Sequence, residues 1–249
     1  MRKEKVFFVE NSLLVLQVSG QLTLDTSSQQ ISTRQGEMLL IRKHQLATLT
    51  KTPTPGGDYQ TIVLFLQDEL LRKIALEEQI QVRQKYTGDL NILVPGNDFL
   101  KGFFQSVVPY VRRPEEKVTE ALGILKVREG VQLLLHTMPG LKDYLFDFSE
   151  PHKIDLEKFM LGNFQFNVPV EKFAQLTGRS LAGFKRDFQK LFGMSPRQWL
   201  QEKRLTEARH LIEHKHKKPS AIYLDLGFES LSHFSHSFKK KFGKAPTEV

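Results

Sequence analysis

Cysteine is missing altogether from the 249 residues. Disulfides, thiolate metal sites and cysteine nucleophiles are thereby excluded, and a reducing interior is the expected compartment. Long apolar runs are missing too. No stretch approaches the ~18 apolar residues that a membrane span requires, and residues 1–30 lack the basic start, apolar core and cleavage site of a secretory leader. The expectation is a soluble, cytoplasmic chain with no membrane partner. Histidine is scarce as well, since residues 1–135 contain only His44. Enzymatic β-barrels of the cupin type place several histidines and a carboxylate on neighbouring strands, so a metal enzyme of that kind is not expected. There is no phosphate-binding glycine loop and no Ser/His/Asp signature. These absences point away from an enzyme and from any cofactor.

The charge that is present is unevenly placed. Residues 1–159 hold 20 Lys+Arg and 20 Asp+Glu, whereas residues 160–249 hold 16 and 8, which is the whole net charge of +8. A small basic domain joined to a neutral one suits a polyanionic partner. The length fits two domains, each able to bury a core.

Residues 6–66 read as short strands. Leu13–Val18 is an apolar run, Gly20 punctuates it, and Gln21–Asp25 alternates with period two. Gly36 precedes the apolar run Met38–Ile41. Pro53, Pro55, Gly56 and Gly57 mark a turn before the β-branched run Thr61–Leu66. Such spacing predicts a β-barrel or sandwich. From about Asp98 the period becomes helical, with Phe99, Leu100, Phe103, Phe104, Val107, Val108 and Val111 on one stripe. A second helical stretch follows Pro114, carrying Val118, Leu122, Leu125 and Leu133–Leu135. These helices are too apolar to stand in water; they pack on the β-domain, or part of them forms a dimer interface. Residues 139–155, with Pro139, Gly140, Ser149 and Pro151, read as a linker.

The basic part contains an internal repeat. At an offset of 50, Phe184, Phe188, Lys190, Phe192, Gly193 and Pro196 match Phe234, Phe238, Lys240, Phe242, Gly243 and Pro246, and Ser180-Leu181 matches Ser230-Leu231. One supersecondary unit is used twice. Phenylalanines at i, i+4 and i+8 form one stripe on a helix. The serines stand at N-cap positions and the glycines follow the last apolar residue. A shorter apolar helix precedes each, Val170–Thr177 ending at Gly178 and Ala221–Leu226 ending at Gly227. Helix, glycine-bearing turn and capped helix make a helix-turn-helix, over 170–192 and 220–242. Ser195-Pro-Arg-Gln198 reads as a capping box that opens a helix from Pro196 to about Glu213. Trp199, Leu200, Leu205, Ala208, Leu211 and Ile212 line its apolar side. That helix links the units, which can enter successive major grooves if spaced ~34 Å apart. His210 and His214 are an i, i+4 pair, but the lysines around them favour a solvated basic turn over a metal site.

Over residues 160–249 the sequence resembles the AraC/XylS family of transcription regulators. The resemblance rests on Phe173-Ala174 with Gly178, on Phe184–Phe188, on Phe192–Pro196, on Lys203-Arg204-Leu205 with Ala208, and on Gly227-Phe228 through Phe242-Gly243 with Pro246. Gly36–Ile41 and Tyr59–Leu66 resemble a cupin-like variant found in the family. The resemblance implies an α+β chain. An N-terminal cupin-like effector and dimerisation domain would span 1–138, with helices from about 98. A linker would follow over 139–155, then an all-α DNA-binding domain over 156–249. It further implies an activator of promoters that works with RNA polymerase, as a homodimer, under a small-molecule effector or a partner protein.

If Phe184 and Phe188 face the core, Ala182, Lys185, Arg186 and Gln189 face outward. The resemblance assigns base reading to Ala182, Lys185 and Arg186, with Ser180 at the start of the helix. Arg186 has the fork that fits guanine O6 and N7. The matching face of the second unit is Leu231, Ser232, Ser235 and His236, without Arg or Lys. Lys239, Lys240, Lys241 and Lys244 would supply phosphate contacts there. Two positions depart from the family. Tyr223 stands where the first unit has Ala174, and Pro219 opens the equivalent helix. The expected consequence is altered packing in a second unit that mainly grips phosphate.

Overall fold

A computed structural model describes residues 2–3, 7–82, 85–112, 119–149 and 153–249; residue 6, Pro114, Val118 and Pro151 lie outside them, as does the side chain of Val111. The chain divides into two compact units, one of Met1–Lys5 and Val9–Ser149, the other of Val6–Phe8 and Glu150–Val249. No described helix is long and apolar enough to cross a membrane.

The strands are β1 (Arg2–Lys3), β2 (Phe7–Val9), β3 (Ser12–Ser19), β4 (Gln21–Asp25), β5 (Gln30–Thr33), β6 (Met38–Ile41), β7 (Gln45–Thr52), β8 (Gln60–Leu66) and β9 (Asn91–Val94). They form two antiparallel sheets, with orders β1-β7-β4-β5 and β8-β3-β6-β9. The barrel-or-sandwich expectation thus resolves into two sheets. Gly20 is where the chain leaves one sheet for the other. Its φ is +77°, and a Cβ there would stand 2.6 Å from the Thr52 carbonyl oxygen, so only glycine fits without strain.

Every residue of β6 is buried. Successive strand side chains point to opposite faces, so Met38 and Leu40 serve one core while Leu39 and Ile41 serve another. The first core is shared with four helices, α1 (Asp68–Glu77), α2 (Asp98–Arg112), α3 (Glu120–Thr137) and α4 (Leu141–Phe146). In α2 the stripe Leu100, Phe103, Phe104 and Val107 is buried against the sheet, which realises the packing half of the expectation for these helices. Leu122, Ile124 and Leu125, by contrast, are exposed on the first turns of α3.

The sequence places 141–146 in a linker, and the structure corrects this. Leu141, Tyr144, Leu145 and Phe146 of α4 are buried in the first core. Arg42 donates from Nη1 to the Tyr144 carbonyl at 3.0 Å and from Nη2 to Asp147 Oδ2 at 2.7 Å. The Tyr144 hydroxyl donates to the Leu90 carbonyl at 2.9 Å. A segment with this much apolar burial and a satisfied buried ion pair belongs to the domain, whatever its proline and glycine content.

The second unit is helical, with α5 (Leu156–Asn163), α6 (Val170–Leu176), α7 (Leu181–Phe192), α8 (Pro196–Lys215), α9 (Pro219–Ile222) and α10 (Leu231–Phe242). The helix that joins the repeats runs two residues past the expected Glu213. Its predicted apolar side is buried except for Leu211, which is half-buried. The capping box is only half made. Ser195 Oγ accepts from the Gln198 amide at 3.3 Å, but the Gln198 side chain turns forward to Glu202.

Candidate nucleic-acid interface

The two repeats fold into the same unit. Ser180 and Ser230 cap α7 and α10, each hydroxyl accepting from the amide three residues on, at 3.1 and 3.2 Å. Gly193 and Gly243 close them at φ +71° and +79°. Phe184, Phe188, Phe234 and Phe238 are completely buried. Gly178 and Gly227 stand at positive φ in the turns ahead of these helices. Burying one phenylalanine face of α7 and of α10 dictates what the opposite face presents.

In α7 that face is the expected one. Ala182, Lys185, Arg186 and Gln189 are all exposed. Lys185 and Gln189 line a groove with Val170, Glu171, Ser195 and Arg197. Val170, Glu171 and Arg197 also line a second groove, which reaches Gly227, Glu229 and His233 of the second unit. The two grooves adjoin along these shared residues, one beside α7 and the other beside the first turn of α10. Arg197 stands where the two grooves meet and is exposed. It is absent from the sequence-derived set, although a basic residue one position inside a capped helix start was a readable signal. Ser180 commits one of its two oxygen lone pairs to its cap. Gly183, unusual inside a helix, serves that cap: a Cβ there would crowd Ser180 Oγ at 3.2 Å.

Asp187, the one acidic residue in Leu181–Phe192, is paired with two cations. Arg179 Nε donates to its Oδ2 at 2.9 Å, and Lys153 Nζ stands 3.1 Å away. These hydrogen bonds, from Arg179 first and Lys153 second, hold the Asp187 carboxyl below the usual carboxylate range.

In α10, Leu231, Ser232, His236, Lys239 and Lys240 are exposed and Ser235 is half-buried. Lys241 departs from its expected phosphate role. Its Nζ donates to the Glu202 carbonyl at 3.0 Å and to Thr206 Oγ1 at 3.1 Å, which pins the end of α10 to α8. The first helix of this unit is shortened to the four residues of α9, with Pro219 in its first turn. Tyr223 does not sit at a tight crossing as the fully buried Ala174 does. It is half-buried on the rim of the core made by Leu205, Ala208, Ile212, Ile222, Leu226, Phe228, Phe234 and Phe238. His210 and His214 stack at 5.1 Å on α8. Among the described residues no group of three or more His, Asp or Glu could hold a metal ion.

Residues 173–249 match the model of a helix-turn-helix domain, and residues 12–144, over half of the chain, match that of the ExsA N-terminal regulatory domain. The chain belongs to the AraC family of transcription regulators, with an ExsA-type regulatory domain at its N-terminal end. Relatives match along nearly all of this chain. The virulence regulon transcriptional activator VirF of Yersinia enterocolitica is 26% identical over 247 residues, covering 95% of this chain and 88% of its own. The regulator ExsA of Pseudomonas aeruginosa is 25% identical over 245 residues, covering 96% and 85%. A solved structure of ToxT from Vibrio cholerae aligns over 99% of this chain and 94% of its own at 15% identity, with a TM-score of 0.42. The family is one of DNA-binding regulators and not of enzymes, in agreement with the sequence reading.

Proposed function

We propose that this AraC-family chain activates transcription by binding promoter DNA through both helix-turn-helix units, acting with RNA polymerase in the cytoplasm. The observation that carries this reading is a pair of adjoining grooves that share Val170, Glu171 and Arg197, one lined by Lys185 and Gln189 of α7 and the other by His233 at the start of α10. On the exposed face of α7, Ala182, Lys185, Arg186 and Gln189 read bases, Arg186 by a bidentate contact to guanine. Ser180 contributes through its hydroxyl proton. Leu231, Ser232, Ser235 and His236 make weaker base contacts, while Lys239 and Lys240 hold phosphates. Activation is the role of the relative VirF, a transcriptional activator.

The N-terminal domain sets the activity in response to a small molecule and holds the chain as a homodimer. A second reading makes the effector a partner protein. It is favoured by an open apolar surface where β8, α1, α2 and α3 meet, lined by Val63, Phe65, Leu70, Val107, Ile124 and Val127. Selection from random duplexes with the full chain, followed by footprinting, tests the DNA reading. The expected product is a bipartite site with one half per unit and binding that weakens steeply with salt. Recovery of no preferred sequence would overturn it. A metabolite screen by melting temperature separates the two effector readings, since a ligand of the folded state raises the transition and a protein-controlled domain shows no such shift.

A further inference from the structure

Arg204 lies on α8 between the two units, next to Leu205 of the second core. Its guanidinium meets three backbone carbonyls. Nε donates to Phe164 at 2.7 Å, Nη2 to Phe166 at 2.9 Å and Nη1 to Gly227 at 3.1 Å. Phe164 and Phe166 belong to the loop that leads from α5 into the first helix-turn-helix, and Gly227 is the turn of the second. One side chain therefore ties the entrance of one unit to the pivot of the other.

The fit leaves no slack. Gly227 has φ +81°, and a Cβ on it would stand 2.6 Å from the Gln165 carbonyl oxygen and 2.8 Å from Arg204 Cζ. The Phe164 side chain packs against the core of the second unit, and Asn167 Nδ2 donates to Glu229 Oε1 at 3.2 Å beside the same turn. Burial pulls the guanidinium down to about 10, so it remains a cation at neutral pH. A half-buried cation hydrogen-bonded to carbonyls that are fixed in position resists both rotation and translation of its neighbours.

We propose that Arg204 is a positioning residue: its three-carbonyl joint fixes the second helix-turn-helix against the first and so sets the spacing between half-sites that the protein accepts. This rests on the two-unit DNA reading above. A lysine at this position keeps the charge but concentrates it at one flexible point, which cannot span the three acceptors as a rigid fork does. The joint then loosens without loss of the cation.

The test uses the full chain and a bipartite duplex selected with the wild-type protein. Derivatives carry insertions or deletions of one and two base pairs between the halves, and one retains only the half bound by the first unit. Each inserted pair rotates one half by about 35° relative to the other, as expected for B-DNA with 10–10.5 pairs per turn. Wild type is expected to lose about tenfold in affinity per inserted pair, the loss of one good base contact. Arg204→Lys is expected to bind all spacings within about threefold of each other and to keep wild-type affinity for the single half. Equal spacing penalties in wild type and a cooperatively melting R204K overturn the proposal, and so does a parallel loss on the single half. If R204K does not melt cooperatively, Asn167→Ala decides, since it removes the exposed Asn167–Glu229 bond that braces the same entrance loop against the same turn. Spacing penalties that soften in N167A support the proposal, and unchanged penalties overturn it. If wild type selects no bipartite duplex at all, it is the two-unit reading that fails.

Discussion

The two helix-turn-helix units share a sequence pattern, a cap and a glycine stop, yet they are attached to α8 by different means and present different chemistry outward. The first is held by edge-to-face and tilted aromatic contacts. Phe188 and Phe192 meet Trp199 at centroid distances of 5.7 and 4.9 Å. Ala174 lets its seven-residue first helix come close. The second is held by aliphatic residues of α8, by Lys241 on the Glu202 carbonyl, by Arg209 over the Phe242 ring at 5.2 Å, and by Arg204. Its first helix is four residues long. The duplicated unit has thus diverged into one half whose outer face carries Lys185, Arg186 and Gln189, and another whose outer face carries Leu231, Ser232 and His236 and whose Lys241, with Arg204 and Arg209 of α8, is committed to holding it in place. Cations spent on internal carbonyls and rings are not available to phosphates.

The largest expected effect tests whether the two cores are equivalent despite this. Phe188→Ala and Phe238→Ala each remove a fully buried ring and should each cost about 3–5 kcal/mol, measured by urea denaturation. Equal losses mean that the carbonyl joints serve orientation and not stability. A markedly smaller loss in F238A would show that the polar attachments of the second unit carry part of its stability. Next in size is the contrast in reading. Arg186→Ala should cost about 1–3 kcal/mol and relax preference at one base pair, seen by competition among single-base variants of a selected duplex. His236→Ala should leave base preference nearly flat. If H236A instead relaxes one position as strongly as R186A, the division into a reading unit and a holding unit is wrong. Smaller again, Lys239→Ala and Lys240→Ala should weaken binding evenly across sequences, each reducing the slope of log affinity against log salt by about 1. A change in base preference from either would move that lysine into the reading set.

What the sequence made legible follows from the range of each interaction. The second unit was readable because its signals are local: phenylalanines four apart, a serine before each helix, a glycine after it. The outward faces of α7 and α10 followed by elimination. The helix α1 was not anticipated, since Gln67 at its start makes no side-chain cap bond and offers no signal. The strand β9 is only four residues long, and α4 reads as linker from sequence because Pro139 and Gly140 precede it. The buried partner that holds α4, Arg42, lies 102 residues away in the chain. The same holds for the joint at Arg204, whose acceptors are 40, 38 and 23 residues distant. Pairings over such separations leave no periodic trace. Tyr223 shows the opposite case, a local oddity that was visible, with its consequence set by how far α9 shortens.

The finest distinction between the units concerns acid. The first carries a carboxylate within its recognition helix, at Asp187, whereas Leu231–Phe242 contains none. The first unit can tolerate it because Arg179 and Lys153 neutralise it. Those partners depress its folded-state pKa, so its contribution to stability is present above the ordinary carboxylate value and is lost as pH falls through the depressed one. Asp187→Asn should therefore differ from wild type at neutral pH, with a slightly lower melting temperature, and the difference should close in acid as wild type protonates. The direction on DNA is the informative part. If the carboxylate is fully screened by its two cations, D187N leaves affinity unchanged or lowers it, because Arg179 and the turn lose their anchor. A clear gain in affinity would mean that Asp187 repels phosphate, and that the first unit, like the second, gives up some of its grip on DNA for its fold.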